Sequence, residues 1–170
     1  MARGQRILVS AEPKGKFQEV IVDGTPKPGT IMTIKPGTAV DGNGIFTYEP
    51  AGTSAGLMAA DGDQIPIAVL LGGADGCVGV PPGNLSTSAY VSGERGTVYF
   101  PVAGEELNIL KLDVAGTGDD FTIGQKLIVD DGTGKVLGTT GTPESEPFVA
   151  LEAVTDPTAD QLVWCQYTGH

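Results

Sequence analysis

The run from Asp119 to Val154 constrains this chain most. Two β-prone stretches, Lys126–Val129 and Val136–Thr139, flank the connection Asp130-Asp131-Gly132-Thr133-Gly134-Lys135. Acids and glycines tolerate the positive φ angles of a tight turn, so this pattern predicts a β-hairpin. A third β-prone stretch, Phe148–Val154, follows the polar link 141–147. Short runs of Val, Ile, Leu, Tyr and Phe, punctuated by Gly or Pro, recur along the chain. With 26 glycines and 12 prolines but no Gly-X-Y period, collagen is excluded. A hydrophobic share of 40% is too high for general disorder. At 170 residues the chain is long enough to bury about 70% of its unfolded surface in one domain.

Further strands are expected at Phe17–Val22, Thr30–Ile34, Ile45–Tyr48, Ile65–Leu71, Thr97–Val102 and Gln161–Tyr167; Glu105–Leu112 is compatible with one or two helical turns but reads better as strand, because Gly104 and the Gly116/Gly118 pair close it tightly. Pro66 belongs at a strand start or edge, because it cannot donate to a ladder. Val163 and Cys165 alternate with Leu162 and Trp164, so the last strand is apolar on both faces and is expected to be covered on both. Ser54–Ala60 is compatible with a short helix that Gly56 weakens. The fold expected is all-β: a compact barrel or sandwich of short strands with an extended N-terminal arm. The arm covers residues 1–16, and residues 17–170 form a single β-rich domain. Exposed strand edges would need covering by the arm or by an oligomer interface.

Charge is unevenly divided. Residues 1–35 hold six basic and three acidic side chains, a net +3; residues 36–170 hold four basic and eighteen acidic ones, a net −14. A body of that sign argues against nucleic-acid binding, which needs Lys and Arg against phosphate. The basic arm is suited to docking on something acidic. No stretch approaches the roughly 20 apolar residues of a membrane span, and Ile7–Val9 is too short for a signal peptide. Cys77 and Cys165 lack metal spacing and read as two ordinary thiols, at least one in a core strand, with a single bridge between them as the less favoured alternative.

Catalytic motifs fail on inspection. Gly52-Thr53-Ser54-Ala55-Gly56 has the spacing of a nucleophile elbow, but the only histidine is the terminal His170. Gly132-Thr133-Gly134-Lys135 is no Walker loop: Val129 occupies the first glycine position, and Val136 stands where Ser or Thr is needed. The acidic pairs Asp61/Asp63, Asp119/Asp120 and Asp130/Asp131 and the turn Asp41–Gly44 offer oxygens but lack a calcium-loop pattern. No catalytic site, metal or cofactor is expected, and the chain is read as a non-enzyme.

Three stretches carry a resemblance. They are Val22-Asp23-Gly24-Thr25-Pro26-Lys27-Pro28-Gly29-Thr30 with the arm and strand before it, Phe121–Asp131, and Phe148-Val149-Ala150-Leu151-Glu152-Ala153-Val154. In these, about a third of its length, the chain resembles the capsid decoration (cement, head-stabilising) proteins of tailed bacteriophages. Phe148-Val149 departs from the glycine that usually opens the last stretch, and residues 50–100 match no pattern of the family. The resemblance implies a homotrimer on the outer surface of an expanded virion head, made in the host cytoplasm, with the major capsid protein as partner and neither nucleic acid nor membrane involved. Arg3, Arg6, Lys14 and Lys16 would then be electrostatic anchors, and Phe17, Val20, Ile21 and Val22 apolar ones. The alternative is a carbohydrate- or receptor-binding β module of a virion fibre or adhesin.

Overall fold

The computed structural model describes residues 7–9, 12–38, 40–52, 66–72, 89–111, 120–130, 132–138, 146–155 and 161–169. Among them are ten strands and no helix: β1 (Lys16–Val22), β2 (Ile31–Ile34), β3 (Thr47–Pro50), β4 (Ala68–Leu70), β5 (Arg95–Phe100), β6 (Glu106–Leu110), β7 (Lys126–Val129), β8 (Val136–Gly138), β9 (Phe148–Ala150) and β10 (Leu162–Tyr167). The fold is all-β. It combines a closed five-stranded barrel, in the order β1-β3-β2-β4-β5, with a second five-stranded sheet, β6-β10-β9-β7-β8.

The barrel closes where β5 runs antiparallel to β1, from Lys16↔Phe100 to Ile21↔Arg95. Its remaining seam is parallel, with Ile21 opposite Thr47 and Val22 opposite Tyr48. Successive strand residues face opposite sides of a sheet. Val20, Val22, Met32, Tyr48, Ala68, Leu70 and Val98 therefore fill the barrel, together with Tyr90. Their neighbours Ile31, Val69 and Tyr99 face outward and join a second core. β4 is covered on both sides, which accounts for its unbroken apolar sequence, and β2 and β5 are covered on both sides through Ile31, Met32, Val98 and Tyr99.

The second sheet lays Leu107, Ile109, Leu127, Val129, Phe148, Ala150, Val163 and Cys165 against that outer wall. Hydrogen bonds weld the two sheets. Ile31 N donates to Gly134 O (2.7 Å) and Leu110 N to Gly29 O (2.9 Å). Lys111, buried just after β6, pairs with Val136 across the gap to β8 and sets its ammonium 5.9 Å from the Phe121 ring centroid. The outer edge of β6 is covered by the chain's own start: Asn108 N donates to Ile7 O (2.7 Å), Val9 N to Glu106 O (3.1 Å), and Leu8 bridges Leu107. Unpaired edges invite association, and here local chain segments cover both ends of the second sheet.

The predicted hairpin forms as expected, with Leu127↔Gly138, Ile128↔Leu137 and Val129↔Val136 in register. Elsewhere the ends shift for local reasons. β3 begins at Thr47 rather than Ile45, because Asp41 folds the preceding residues into a turn and takes Ile45 N on its own carboxylate. β5 stops at Phe100, since Pro101 has no N–H to continue the ladder. β9 stops at Ala150; Leu151 N turns to Trp164 O, and Val154 pairs with Phe121. β10 is buried on one face through Val163 and Cys165, while Leu162 and Trp164 on the other are only half-covered. The Ser54–Ala60 stretch lies outside the described residues.

Candidate interaction surface

Arg3 and Arg6 lie outside the described residues. Of the segment expected to stand off as an arm, residues 7–9 and 12–16 are described, and they lie on the body. Ile7 is fully buried in the inter-sheet core. Burial of an isoleucine side chain contributes about 2 kcal/mol, a sufficient reason for this stretch to dock rather than extend.

The proposed apolar anchors divide. Val20 and Val22 are fully buried inside the barrel, so they are core residues and not contacts for a partner. The reason is the alternation of β1, which sends Val20 and Val22 inward once the barrel closes. Ile21 is half-buried, and Phe17 is 50% exposed with its ring centroid 4.9 Å from that of Tyr99. Lys14 and Lys16 are exposed. Val20→Ala is therefore expected to lower unfolding free energy by about 2 kcal/mol, and Phe17→Ser to leave it within about 0.5 kcal/mol, as urea titration of both variants will measure.

Two side chains that the sequence did not single out fasten this segment. Glu105 accepts hydrogen bonds from Tyr99 Oη (2.6 Å to one oxygen and 2.7 Å to the other), Val102 N (2.7 Å) and Lys14 N (2.5 Å). Gly15 N donates to the same Tyr99 oxygen at 2.6 Å. Burial pushes the Glu105 carboxyl upward, but the hydrogen bonds from Tyr99, Val102 and the Lys14–Gly15 backbone outweigh it and hold the group below its ordinary value. Burial, followed by the Glu105 carboxylate, pushes the Tyr99 phenol well up. The pair is thus a neutral phenol donating to a carboxylate, and the start of β1 is rigidly placed.

Other carboxylates serve local structure. Asp41 accepts from Asn43 N and Ile45 N (2.8 Å each) and lies 3.6 Å from Arg95, which also pairs with Glu19 at 2.9 Å. Asp23 pairs with Lys35 at 2.6 Å, which holds its carboxyl below the usual range. Among the described residues no three His, Cys, Asp or Glu side chains converge on a metal-sized site. Asp61, Asp63, Asp119, Asp131, Cys77, His170 and most of the Gly52–Gly56 stretch lie outside the described residues. Cys165 is a free, buried thiol; burial, with Glu152 nearby, pushes its pKa well up and makes it a poor nucleophile.

A cleft of about 200 Å³ opens where the hairpin meets the barrel, lined by Lys27, Thr30, Leu110, Thr133 and Lys135 among others. Two of its hydroxyls are committed: Thr30 Oγ1 donates to Lys27 O and Thr133 Oγ1 to Asp130 Oδ2, each at 2.7 Å. Both lysines have interactions of their own. The cleft is a seam between sheets.

No family model and no curated protein matches the chain. Its own surface must carry the functional reading. That surface presents exposed Lys14 and Lys16 and a half-exposed Phe17 ring at the start of β1, where Tyr99 and Glu105 fasten the backbone.

Proposed function

We propose that this chain is a capsid decoration protein. It binds the outer surface of an expanded phage head and stabilises it by bridging major capsid protein subunits, as a homotrimer and without a catalytic centre or cofactor. The observation that carries this reading is the placement of Lys16 and Phe17 at the start of β1, with Lys14 just before it fastened to Glu105, in a chain whose remaining residues are strongly acidic. Arg3 and Arg6 precede this strand in the sequence and add to its positive charge. A rigid attachment strand loses little conformational entropy on binding, so its contacts convert efficiently into affinity. The acidic body would face outward and keep particles apart. A virion fibre or adhesin module is the second reading, favoured by Phe46, 40% exposed beside the Asp41–Gly44 turn. Asp41, however, spends its carboxylate on its own turn and on Arg95.

Co-sedimentation with expanded empty capsids tests the proposal. Trimming must stop at Arg6, since Ile7 is core. The full chain should sediment with capsids. Deletion of residues 1–6 and the double change Lys14→Glu, Lys16→Glu should each weaken binding about tenfold and reduce its salt dependence. A full chain that binds no capsid but is retained on a glycan array would overturn the decoration reading in favour of the second one.

A further inference from the structure

The two halves of the chain repeat one pattern of strand pairing. In the barrel, β1 pairs with β5 and β3, β2 with β3 and β4, and β4 with β5; only the β1–β3 pair is parallel. In the second sheet, β6 pairs with β10, β10 with β9, β9 with β7 and β7 with β8, all antiparallel. The bridge Lys111↔Val136, between the end of β6 and the start of β8, is parallel. Strands β6 to β10 thus repeat β1 to β5 in order and sense. The registers agree too. Val22↔Tyr48 corresponds to Lys111↔Val136, Met32↔Pro50 to Leu127↔Gly138, and Val69↔Tyr99 to Val149↔Gln166. Hydrogen bonds outside the ladders recur at the same positions. Gly29 N donates to Leu70 O as Gly124 N does to Ala150 O, each at 2.8 Å, and Thr30 N to Lys27 O as Gln125 N does to Thr122 O, each at 3.1 Å. The two glycines share a positive φ, 88° and 85°.

The repeat breaks at one edge. Successive residues of an antiparallel strand turn their backbone groups to alternate sides. Val22 N donates to Glu94 O on the β5 side (2.8 Å), so Phe17, Glu19 and Ile21 face away from β5. Ile21 N donates to Phe46 O at 3.0 Å. On β6 the equivalent outward residues are Glu106, Asn108 and Leu110, and all three are bonded: Val9 N donates to Glu106 O, Asn108 N to Ile7 O and Leu110 N to Gly29 O. Among the described residues, no hydrogen bond reaches the outward backbone groups of Phe17 or Glu19. Phe17 is 50% exposed and the Glu19 side chain 52%. The edge that Ile7–Val9 fill on the second unit is therefore filled by no described residue on the first.

We propose that the outer edge of β1 at Phe17–Glu19 takes up an extended aliphatic segment of another protein chain, in the position that Ile7–Val9 take on β6. The incoming strand runs antiparallel to β1, accepts from Glu19 N and donates to Phe17 O. Its character follows from the occupant of the equivalent edge, Ile7-Leu8-Val9, which is aliphatic throughout. The residue that donates to Phe17 O stands where Val9 stands on β6, beside the half-exposed Phe17 ring. Unpaired backbone groups at a sheet edge template such additions; main-chain bonds supply affinity and alternate side chains supply selectivity. The inference rests on the repeat and does not depend on the capsid reading.

Amide exchange of the full-length protein, followed by NMR, tests the edge first. Glu19 N–H should exchange about a hundredfold faster than its bonded counterpart, Asn108 N–H. The probe is the blocked peptide Thr-Ile-Leu-Val-Thr, with a control N-methylated at its valine, the residue that donates to Phe17 O. The unmodified peptide should bind with Kd at or below about 1 mM, shift the resonances of Phe17–Glu19 and slow exchange at Glu19 N–H. The control should not bind, and Phe17→Ser, which leaves the fold in place, should weaken the unmodified peptide several-fold. A Glu19 N–H as slow as Asn108 N–H in the free protein, no shifts at millimolar peptide, equal binding of the control, or shifts confined to Glu106–Asn108 overturn the proposal. Protection of Glu19 N–H that grows with protein concentration also overturns it, because a second copy would then be the occupant.

Discussion

Gly134→Ala is expected to cost more than about 4 kcal/mol of stability or to prevent folding, while Gly132→Ala, two residues away in the same turn, costs about 1–2 kcal/mol. Both glycines have positive φ, 64° at Gly134 and 72° at Gly132, so each substitution meets the left-handed penalty. Only Gly134 faces a second obstacle. A Cβ there would collide with the Ile31 carbonyl oxygen and press on the Thr30 methyl, whereas nothing lies within 4 Å of one on Gly132. The backbone around Ile31 cannot retreat easily. Its N–H donates to Gly134 O and its carbonyl accepts from Ala51 N, so a shift breaks the weld between hairpin and barrel. Urea denaturation measures both variants. Equal midpoints for the two would show that the weld contributes nothing.

Glu105→Ala should destabilise the fold by about 3 kcal/mol at neutral pH, since it strands the Tyr99 hydroxyl and the Val102 and Lys14 amides. Faster amide exchange at residues 7–9 and 14–16 should accompany the loss, because the clasp holds the start of the chain on the body. Tyr99→Phe removes the donor to Glu105 and the acceptor for Gly15 N, and should cost about 2 kcal/mol. The pH dependence has a definite sign. A carboxyl held below its ordinary value contributes fully above the unfolded pKa, near 4.3 for Glu, and loses that contribution as pH falls through the lowered folded value. The stability gap between the wild-type chain and Glu105→Ala should stay constant from neutral pH down to the ordinary carboxylate range, then narrow under stronger acid. A gap that does not change with pH would mean that the carboxylate's charge is irrelevant to the clasp.

Much of the fold was legible in single stretches of sequence. The β7–β8 hairpin formed because its connection holds glycine at the two positive-φ positions and acids that bond their own turn, as Asp130 does with Thr133. The residues proposed for attachment were legible only in part. Charge is a property of the residue, so Lys14 and Lys16 were recognisable as exposed cations. Burial is a property of the neighbours, and Val20 and Val22 look like any exposed apolar pair until β3 and β5 close the barrel around them. Tyr99 and Glu105 carried no local signal, because their partners Lys14 and Gly15 lie 84 to 91 residues away in the chain.

The sequence by itself determined an all-β chain, with glycine and proline dividing apolar runs into strands and with its charge split between a basic start and an acidic remainder. These follow from local dihedral preference and from counting ionisable groups. Only the tertiary structure decided that the strands form a closed barrel welded to a second sheet, that the first described residues are packed down, and that Ile34 and Phe46 are left in solvent. Those outcomes depend on which distant strands pair, and pairing is selected by the simultaneous burial of both faces of β2, β4 and β5, which no single stretch encodes.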